Sequence, residues 1–406
     1  MSSAIAVSML MAISLQDAIT KAIAHSPELH ALEAGVTEAK AMATLGDAFR
    51  SAASIATTPG YATGLPTAVL GQVPAIATVE THRLLYDASA RAEQIGTASQ
   101  VDATMSRLET RKREIAQSVA ELYARVAADQ VQVASGEKRV AAYETIATRT
   151  DALRKEGRAR DLDVERASLQ AANARRVALQ TRNRLELDQL RLDRMVGESV
   201  EVDSGAAASQ AADGLRARRS TEDPELKSLD ARIAGLQNAL GLQRRFFQPS
   251  VAAQAQYMRL FDRYRRYYLN FKPDDFVIGA TITLPIGGNR AATAARIQAQ
   301  LQQLVSQRDL RRSEVEIALR EAELDLAQAD AEGDLAGRAR AIAAEGLRVA
   351  EELAKEGRGE ANDVPLAQIA LADAEGEVAN TNAHRTTARA RQLILGGNST
   401  RATYNP

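Results

Sequence analysis

The strongest constraint on this chain is a stretch written twice. Leu153 to Val164 reads LRKEGRARDLDV and Leu353 to Val364 reads LAKEGRGEANDV, an offset of 200 residues. The KEGR core is identical, and Asp163-Val164 returns as Asp363-Val364. Each copy lies between two long, Gly-poor, Ala-rich segments. Gly just past a helical run, with a basic residue in the last turn, marks a helix C-terminus, and Asp a few residues on marks a helix start. Each copy therefore reads as the tight tip of a long helical hairpin. A second pair of landmarks agrees: SPELHALEAGV from Ser26 and DPELKSLDARI from Asp223, an offset of 197. In both, Pro stands at the first helical position.

Two halves of one fold follow from this duplication, although 406 residues would allow two or three domains. The first repeat spans 14–197, with its tip near 157, and the second spans 223–396, with its tip near 357. An Ala-rich, weakly patterned segment at 198–222 separates them, and 397–406 is a tail. Aromatic residues make up 4 % of the chain and charged residues 25 %, which favours long, closely packed helices over a thick aromatic core. A net charge of −1 gives no global pull toward nucleic acid. With no Cys there is no disulfide, thiolate metal site or thiol nucleophile. No run of 18 apolar residues exists, so no transmembrane helix is expected. Residues 1–13 include a short apolar stretch the size of a signal core, with no basic residue before it. They read either as a signal remnant or as an apolar first turn.

In each half the helical pattern breaks once. Ser51 to Asp87 is punctuated by Pro59-Gly60, Gly64, Pro66, Gly71 and Pro74, as weak strands around a loop. Ser250 to Phe261 alternates Val251, Ala253, Ala255 and Tyr257 with polar residues, and Phe276 to Leu284 alternates with period two. Nine such residues are about what a tilted strand needs to cross a bilayer. Long helical tracts follow, from Gln100 to Glu156 and from Arg290 to Glu356. At about 1.5 Å per residue either could reach on the order of 80 Å, more than a globular core requires. Return helices run from Asp163 to Val196 and from Asp363 to Leu395, closed by Gly197 and Gly396. The expected class is mainly α with a small β part, four strands per chain. Four strands cannot close a barrel, and sheet edges are not tolerated in lipid. Strands that cross a membrane here must be shared between copies, and three copies would supply twelve.

Taken together, these elements resemble the TolC-type outer-membrane efflux family over nearly the whole chain. Leu15-Gln16-Asp17-Ala18-Ile19 is similar to the family's opening helix, followed by Pro27-Glu28-Leu29. Leu85-Tyr86-Asp87 resembles its strand-end motif, with Leu284-Pro285-Ile286-Gly287-Gly288-Asn289-Arg290 as the second copy. Gly157 with Asp163, and Gly357 with Asp363, match the tip pattern. There are departures: Ile286-Gly287-Gly288 lacks the aromatic-acidic pair, Ala88-Ser89 replaces two glycines, and Leu366 stands where some members carry a further carboxylate. The resemblance implies a homotrimer with a twelve-stranded barrel in outer-membrane lipid and a coiled-coil tunnel reaching into the periplasm. A periplasmic adaptor and an inner-membrane pump would dock at the tips, and substrates would pass passively.

Several residues carry the functional expectation. Asp163 and Asp363 could ring a narrow gate with carboxylates and favour cations, or could simply cap the return helices. Gly157 and Gly357 read as turn residues with positive φ; their docking role comes from the resemblance alone. Arg158 and Arg358 read as docking contacts or as partners of the helix dipole. The patch with Tyr264, Arg265, Arg266, Tyr267, Tyr268 and Phe271 has three readings: base stacking, the interfacial girdle of a barrel, or an exposed loop. The flanking strands favour a girdle at the membrane interface or an extracellular loop. The four His residues, His25, His30, His82 and His384, show no ligand spacing. No catalytic set, phosphate loop or cofactor motif stands out, and neither an enzyme nor a nucleic-acid partner is expected. The competing class is a soluble scaffold of antiparallel coiled coils, which would have no use for the alternating strand at Phe276.

Overall fold

The structure is a computed structural model, and it describes residues 12–48, 51–57, 75–202, 223–243, 250–260, 272–283 and 290–395. In chain order the first half runs β1 (Ala12–Ile13), α1 (Leu15–His25), α2 (Pro27–Ala48), β2 (Ser51–Thr57), β3 (Ala75–Tyr86), α3 (Ala88–Lys155) and α4 (Asp161–Val196). Then follow β4 (Glu201–Val202), α5 (Pro224–Gln243), β5 (Ser250–Leu260), β6 (Asp274–Thr283), α6 (Arg290–Lys355) and α7 (Asp363–Leu395). Both halves thus carry helix, two strands, long helix, tip and helix. The fold class read from the sequence holds, with helix dominant, one four-stranded antiparallel sheet and, in addition, the short parallel pair β1–β4. The inter-repeat segment 203–222 and Gly396 lie outside the described residues.

The helix starts follow local chemistry. Ser14 caps α1: its Oγ accepts the Asp17 N–H at 3.2 Å and its hydroxyl donates to the Asp17 carboxylate at 2.7 Å. Pro27 and Pro224 open α2 and α5, where a missing N–H costs nothing. One ion pair is repeated across the duplication. Glu28 receives Arg111 at 2.8 Å and Glu225 receives Arg311 at 3.1 Å, the same acid after the same Pro meeting arginines 200 residues apart. α3 starts at Ala88, earlier than the Gln100 expected. Gly96 and Thr97 weaken the local helical signal, yet Gly235 of α5 lies so close to the Ile95 side chain that a Cβ there would meet it at 2.8 Å. Tertiary packing overrides propensity at this point.

Two compact units arise, and each draws on both halves of the sequence. Met1–His30, Glu109–Asp223 and Arg312–Pro406 form one; Ala31–Leu108 and Pro224–Arg311 form the other. In the first, β1 pairs in parallel with β4, Ala12 opposite Glu201 and Ile13 opposite Val202. The buried Tyr123 donates its hydroxyl to the Ile13 carbonyl at 2.8 Å, so the aromatic body fills space while its polar tip is satisfied. Leu15, Ala18, Ile19 and Ala22 of α1 are buried, and α1 packs on α4. In the second unit, Leu229 and Ile233 of α5 pack with Leu304 of α6, with Leu236 and Val305 at the margin. There β2, β3, β5 and β6 make one antiparallel sheet, in that order.

α4 ends on Gly197 at φ 87, its N–H donating to the Asp193 carbonyl at 2.8 Å. A Cβ on Gly197 would meet the His25 ring at 2.5 Å. Gly197→Ala therefore carries both a left-handed backbone cost and a clash, together about 2–3 kcal/mol. Thermal unfolding should show this loss, and adding His25→Ala should return the clash while leaving roughly 1 kcal/mol of backbone strain.

Candidate functional site: two helical tips and a one-faced sheet

The two tips are built alike. Gly157 sits at φ 76 and Gly357 at φ 72. The Gly157 N–H donates to the Arg154 carbonyl at 2.9 Å and the Arg158 N–H to the Leu153 carbonyl at 2.8 Å. At the second tip Gly357 donates to Ala354 at 3.2 Å and Arg358 to Leu353 at 2.9 Å. This pair of bonds is the Schellman ending, which needs a left-handed residue and so selects Gly. The chain then turns, and the Asp163 carboxylate accepts the Arg160 N–H at 3.2 Å. Asp363 accepts the Glu360 N–H at 2.7 Å in the same way. Asp163 is thus the third residue of α4 reaching back to its cap, and Asp363, the first residue of α7, reaches back across the preceding turn in the same way. Gly and Asp six positions apart are what one helix end joined to one helix start requires.

Arg158 and Arg358 point outward, each with a Glu as its neighbour: Glu156 at 3.4 Å and Glu356 at 3.3 Å. Neither Arg158 nor Arg358 is spent on closing its turn. The tips differ in what holds them. The Asp151 carboxylate before the first tip is held below the usual range by Lys155 at 2.8 Å and then Arg154 at 3.0 Å. The second tip is tied across to the first hairpin, the Arg149 guanidinium donating to the Ala361 carbonyl.

Behind the tips, ion pairs set the order of the helices. α3 and α4 share two buried carboxylates: the Asp129 and Asp188 side chains are 3 % and 2 % exposed. Asp129 takes a forked contact from Arg184, with Nε at 2.9 Å from Oδ2 and Nη2 closer still to Oδ1. Asp188 takes Arg191 at 2.7 Å and Arg125 at 3.6 Å. Sequence reading missed these acids, though a signal existed. Asp129 falls three residues after Val126, continuing the apolar stripe Ile115, Val119, Leu122 and Val126. α3 next meets α7 through Arg139–Asp373 at 2.8 Å and Lys138–Glu375 at 2.6 Å. Gln132 donates to the Gly376 carbonyl at 3.1 Å. Beneath these, Ala142, Ile146, Ala167 and Ile369 form a small core. α7 meets α6 through Arg385–Asp330 at 2.7 Å and Arg391–Asp325 at 2.9 Å.

The outer pair, α4 and α6, shows apolar residues to solvent. On α6 these are Ile317, Leu324, Leu335, Ile342 and Val349; on α4 they are Leu162, Leu169, Val177, Leu179, Leu187 and Leu190. Among the described residues of this unit, α7 exposes only Leu366 of this kind and α3 none. At about 100° per residue the five on α6 stay within roughly 40° of one line.

The sheet has one apolar face. Register pairs Val251 with Ile282, Ala253 with Ala280, Ala255 with Ile278 and Tyr257 with Phe276. Val79 lies opposite Tyr257 on the next strand. Phe276, Ile278 and Ile282 are 63 %, 73 % and 65 % exposed, so this face lacks cover. The other face carries Glu80, His82, Gln254, Gln256 and Thr281. Aromatic residues mark both ends of the apolar face: Tyr257 and Phe276 at one, and Tyr86, opposite Val251 after a bulge, at the other. Tyr264, Tyr267, Tyr268 and Phe271 lie outside the described residues, as do Leu284–Asn289 of the second strand-end motif. No helix is long and apolar enough to cross a membrane, and no cluster of His, Asp and Glu could hold a metal ion, among the described residues.

A methyl group added at Gly157 or Gly357 meets nothing within 4 Å. Gly357→Ala should therefore cost only backbone strain, about 1 kcal/mol, and Gly357→Asn less. Hydrogen exchange of the amides at Arg358 and in the last turn of α6 would show it. Acid should loosen the first tip. The carboxyl of Asp151 is shifted down in the folded state, so its contribution is full above the ordinary Asp range and is lost as pH falls through the shifted value. Protection of the last turn of α3, corrected for intrinsic exchange, should drop at acid pH, and Asp151→Asn should remove that dependence.

No protein-family model matches the sequence, and no curated protein does. Solved structures do match over nearly full length. The outer membrane protein VceC of Vibrio cholerae is 18 % identical, with 94 % of this chain and 96 % of that one covered and a TM-score of 0.72. The MtrE outer membrane channel of Neisseria gonorrhoeae, in its open state, is 15 % identical, with 95 % and 89 % covered and a TM-score of 0.71. The CmeC outer membrane channel of Campylobacter jejuni is 13 % identical, with 94 % and 85 % covered and a TM-score of 0.68. With duplicated hairpins, a four-stranded sheet and these neighbours, the chain has the fold of TolC-type outer-membrane channels.

Proposed function

We propose that three copies of this chain close into a duct through the outer membrane, serving as the exit channel of a tripartite efflux or secretion system. One observation carries the reading: a four-stranded sheet with an uncovered apolar face, whose outermost strands β2 and β6 each have a strand neighbour on one side only among the described residues. An apolar face of this kind belongs against lipid, and edges there must be paired. A twelve-residue strand such as β3 reaches about 40 Å, or roughly 30 Å tall at a 40° tilt, enough for the hydrocarbon layer. Tyr257 and Phe276 at one end and Tyr86 at the other fit the two interfacial girdles.

The same sense of assembly recurs in the helices. The sheet's free edges belong to opposite halves of the sequence, and so do the outer helices α4 and α6. Head-to-tail joining of unlike edges makes rings. In a ring with all tips at one end, α4 of one copy runs antiparallel to α6 of the next. Leu169, Leu179 and Leu190 lie as far from Asp161 as Val349, Leu335 and Leu324 do from Lys355, to within two residues. The two apolar stripes thus meet in register. A soluble scaffold would leave the Phe276 face unexplained.

Within the ring the helices form the periplasmic tunnel. Asp163 and Asp363 stand at its narrow end, where carboxylates favour cations, in addition to their role in the turn. Gly157, Arg158, Gly357 and Arg358 face a periplasmic adaptor, which couples the duct to an inner-membrane pump. Transport is passive and performs no chemistry of its own. The α3–α7 seam, tied by Arg149, Arg139 and Lys138, is where the two hairpins part when the tip opens.

The chain has no Cys, so paired cysteines report contacts without background. Leu169→Cys with Val349→Cys should cross-link between copies under mild oxidation, giving dimers and trimers on denaturing gels. Leu169→Cys with Ala142→Cys, the latter buried in the small core, should not. Chains that stay monomeric in both cases would count against the ring.

A further inference from the structure

Strand register sorts the charges of the sheet by face. Side chains alternate along a strand, so parity decides the side. Val79, Tyr257, Phe276, Ile278 and Ile282 share one parity, and with them go the Arg83, Arg259 and Asp274 positions. Arg259 donates to Asp274 at 2.6 Å, at the far end of the strands. The opposite parity holds Glu80, opposite Gln256, and His82, opposite Gln254. It also holds the position of Asp275, opposite Met258. Every Arg of the four strands therefore falls on the apolar face. Glu80, His82 and Asp275 are the ionisable positions of the other face, and no Lys or Arg joins them.

Resting on the duct reading above, we propose that Glu80 and His82 form a belt that sets the charge preference of the barrel's bore. Glu80 lies one residue inward from the aromatic level of Val79, Tyr257 and Phe276. His82 is two residues deeper, between that level and Tyr86. The neighbours of His82 across the ladder are Ala52 on β2 and Gln254 on β5, and neither titrates. Gln254 is held on this face by Thr281, whose hydroxyl donates to its carbonyl at 3.3 Å. The wall around the belt is amides and small residues with the apolar Leu84, Met258 and Val277, and among the described residues of this face the charged position nearest His82 is Glu80, two residues along.

Magnitude decides whether such a belt is felt. Twelve strands spaced about 4.8 Å apart and tilted about 40° close at roughly 24 Å between backbones. Side chains narrow this to about 14 Å, so no ion is further than about 7 Å from the wall. The screening length at physiological salt is about 8 Å. Three Glu80 carboxylates therefore act across the whole bore. The belt holds carboxylates and no Lys or Arg, so it favours cations, and a fixed positive charge at the His82 position, two residues from Glu80, would offset it.

The test is the reversal potential of the purified full-length protein in a planar bilayer, under a tenfold KCl gradient at pH 8. The parent should favour K+ over Cl−. Glu80→Gln should move the permeability ratio toward one, while Glu80→Asp should keep it. His82→Lys should weaken the preference for K+. Unit conductance should stay near the parent's in all three, which checks that the barrel still forms. Conducting channels whose selectivity ignores both Glu80→Gln and His82→Lys would overturn the belt and leave the duct intact. A parent protein that never conducts would overturn the duct, and the belt with it.

Discussion

A β-strand at the edge of a sheet presents a row of unpaired N–H and C=O groups, and a bilayer core offers them no water. The penalty is several kcal/mol for each group left unsatisfied in hydrocarbon. On the duct proposal, edge pairing is therefore the constraint to which the rest of this fold answers. The sheet has an uncovered apolar face, with Phe276, Ile278 and Ile282 exposed. If that face meets lipid, β2 and β6 cannot remain edges, and since four strands cannot close on one another, sister copies would supply the pairing.

The helices obey a related logic in water. Long, Ala-rich helices with few aromatic residues bury little area each, so their order is fixed by many modest contacts and a few decisive ones. The buried carboxylates Asp129 and Asp188 are decisive because a charge left unpaired there is expensive. Arg184 of α4 reaches Asp129 of α3, and Arg125 of α3 reaches Asp188 of α4, only when the two helices are in one register, while Arg191 adds a pair within α4. The α3–α7 seam is different in kind. In its ion pairs, Lys138–Glu375 and Arg139–Asp373, the less exposed partner is still 21 % and 25 % exposed, against 2–3 % for Asp188 and Asp129, so water competes for them. One seam is set and the other can yield, as the proposed opening of the tip requires.

Much of this was legible in the residues themselves. Gly157 and Gly357 announced the tips because a left-handed residue at a helix end is a local requirement. Pro27, Pro224 and Ser14 marked starts for equally local reasons. The alternation of β5 and β6 gave away one wet and one dry side. What escaped was non-local. That Arg149 reaches Ala361, or Gln132 reaches Gly376, depends on how two hairpins lie side by side, and nothing within a few residues of either encodes it. The Tyr264 to Phe271 patch, expected as a girdle or an extracellular loop, lies outside the described residues, and Tyr86, Tyr257 and Phe276 mark the ends of the apolar face on the described strands. Only register reveals that these three share a face. Asp163 and Asp363 were read as gate carboxylates or helix caps; in the turn, Asp163 reaches back from the third position of α4 and Asp363 from the first residue of α7, each accepting the N–H three residues before it.

The account stands on sister chains completing what one chain leaves open, and stoichiometry in detergent tests that most directly. Native mass spectrometry of the extracted full-length protein should give a particle of three 43.6 kDa chains that withstands mild activation. A single 43.6 kDa chain that remains folded in plain buffer, with Phe276 and Ile278 protected from water, would contradict it.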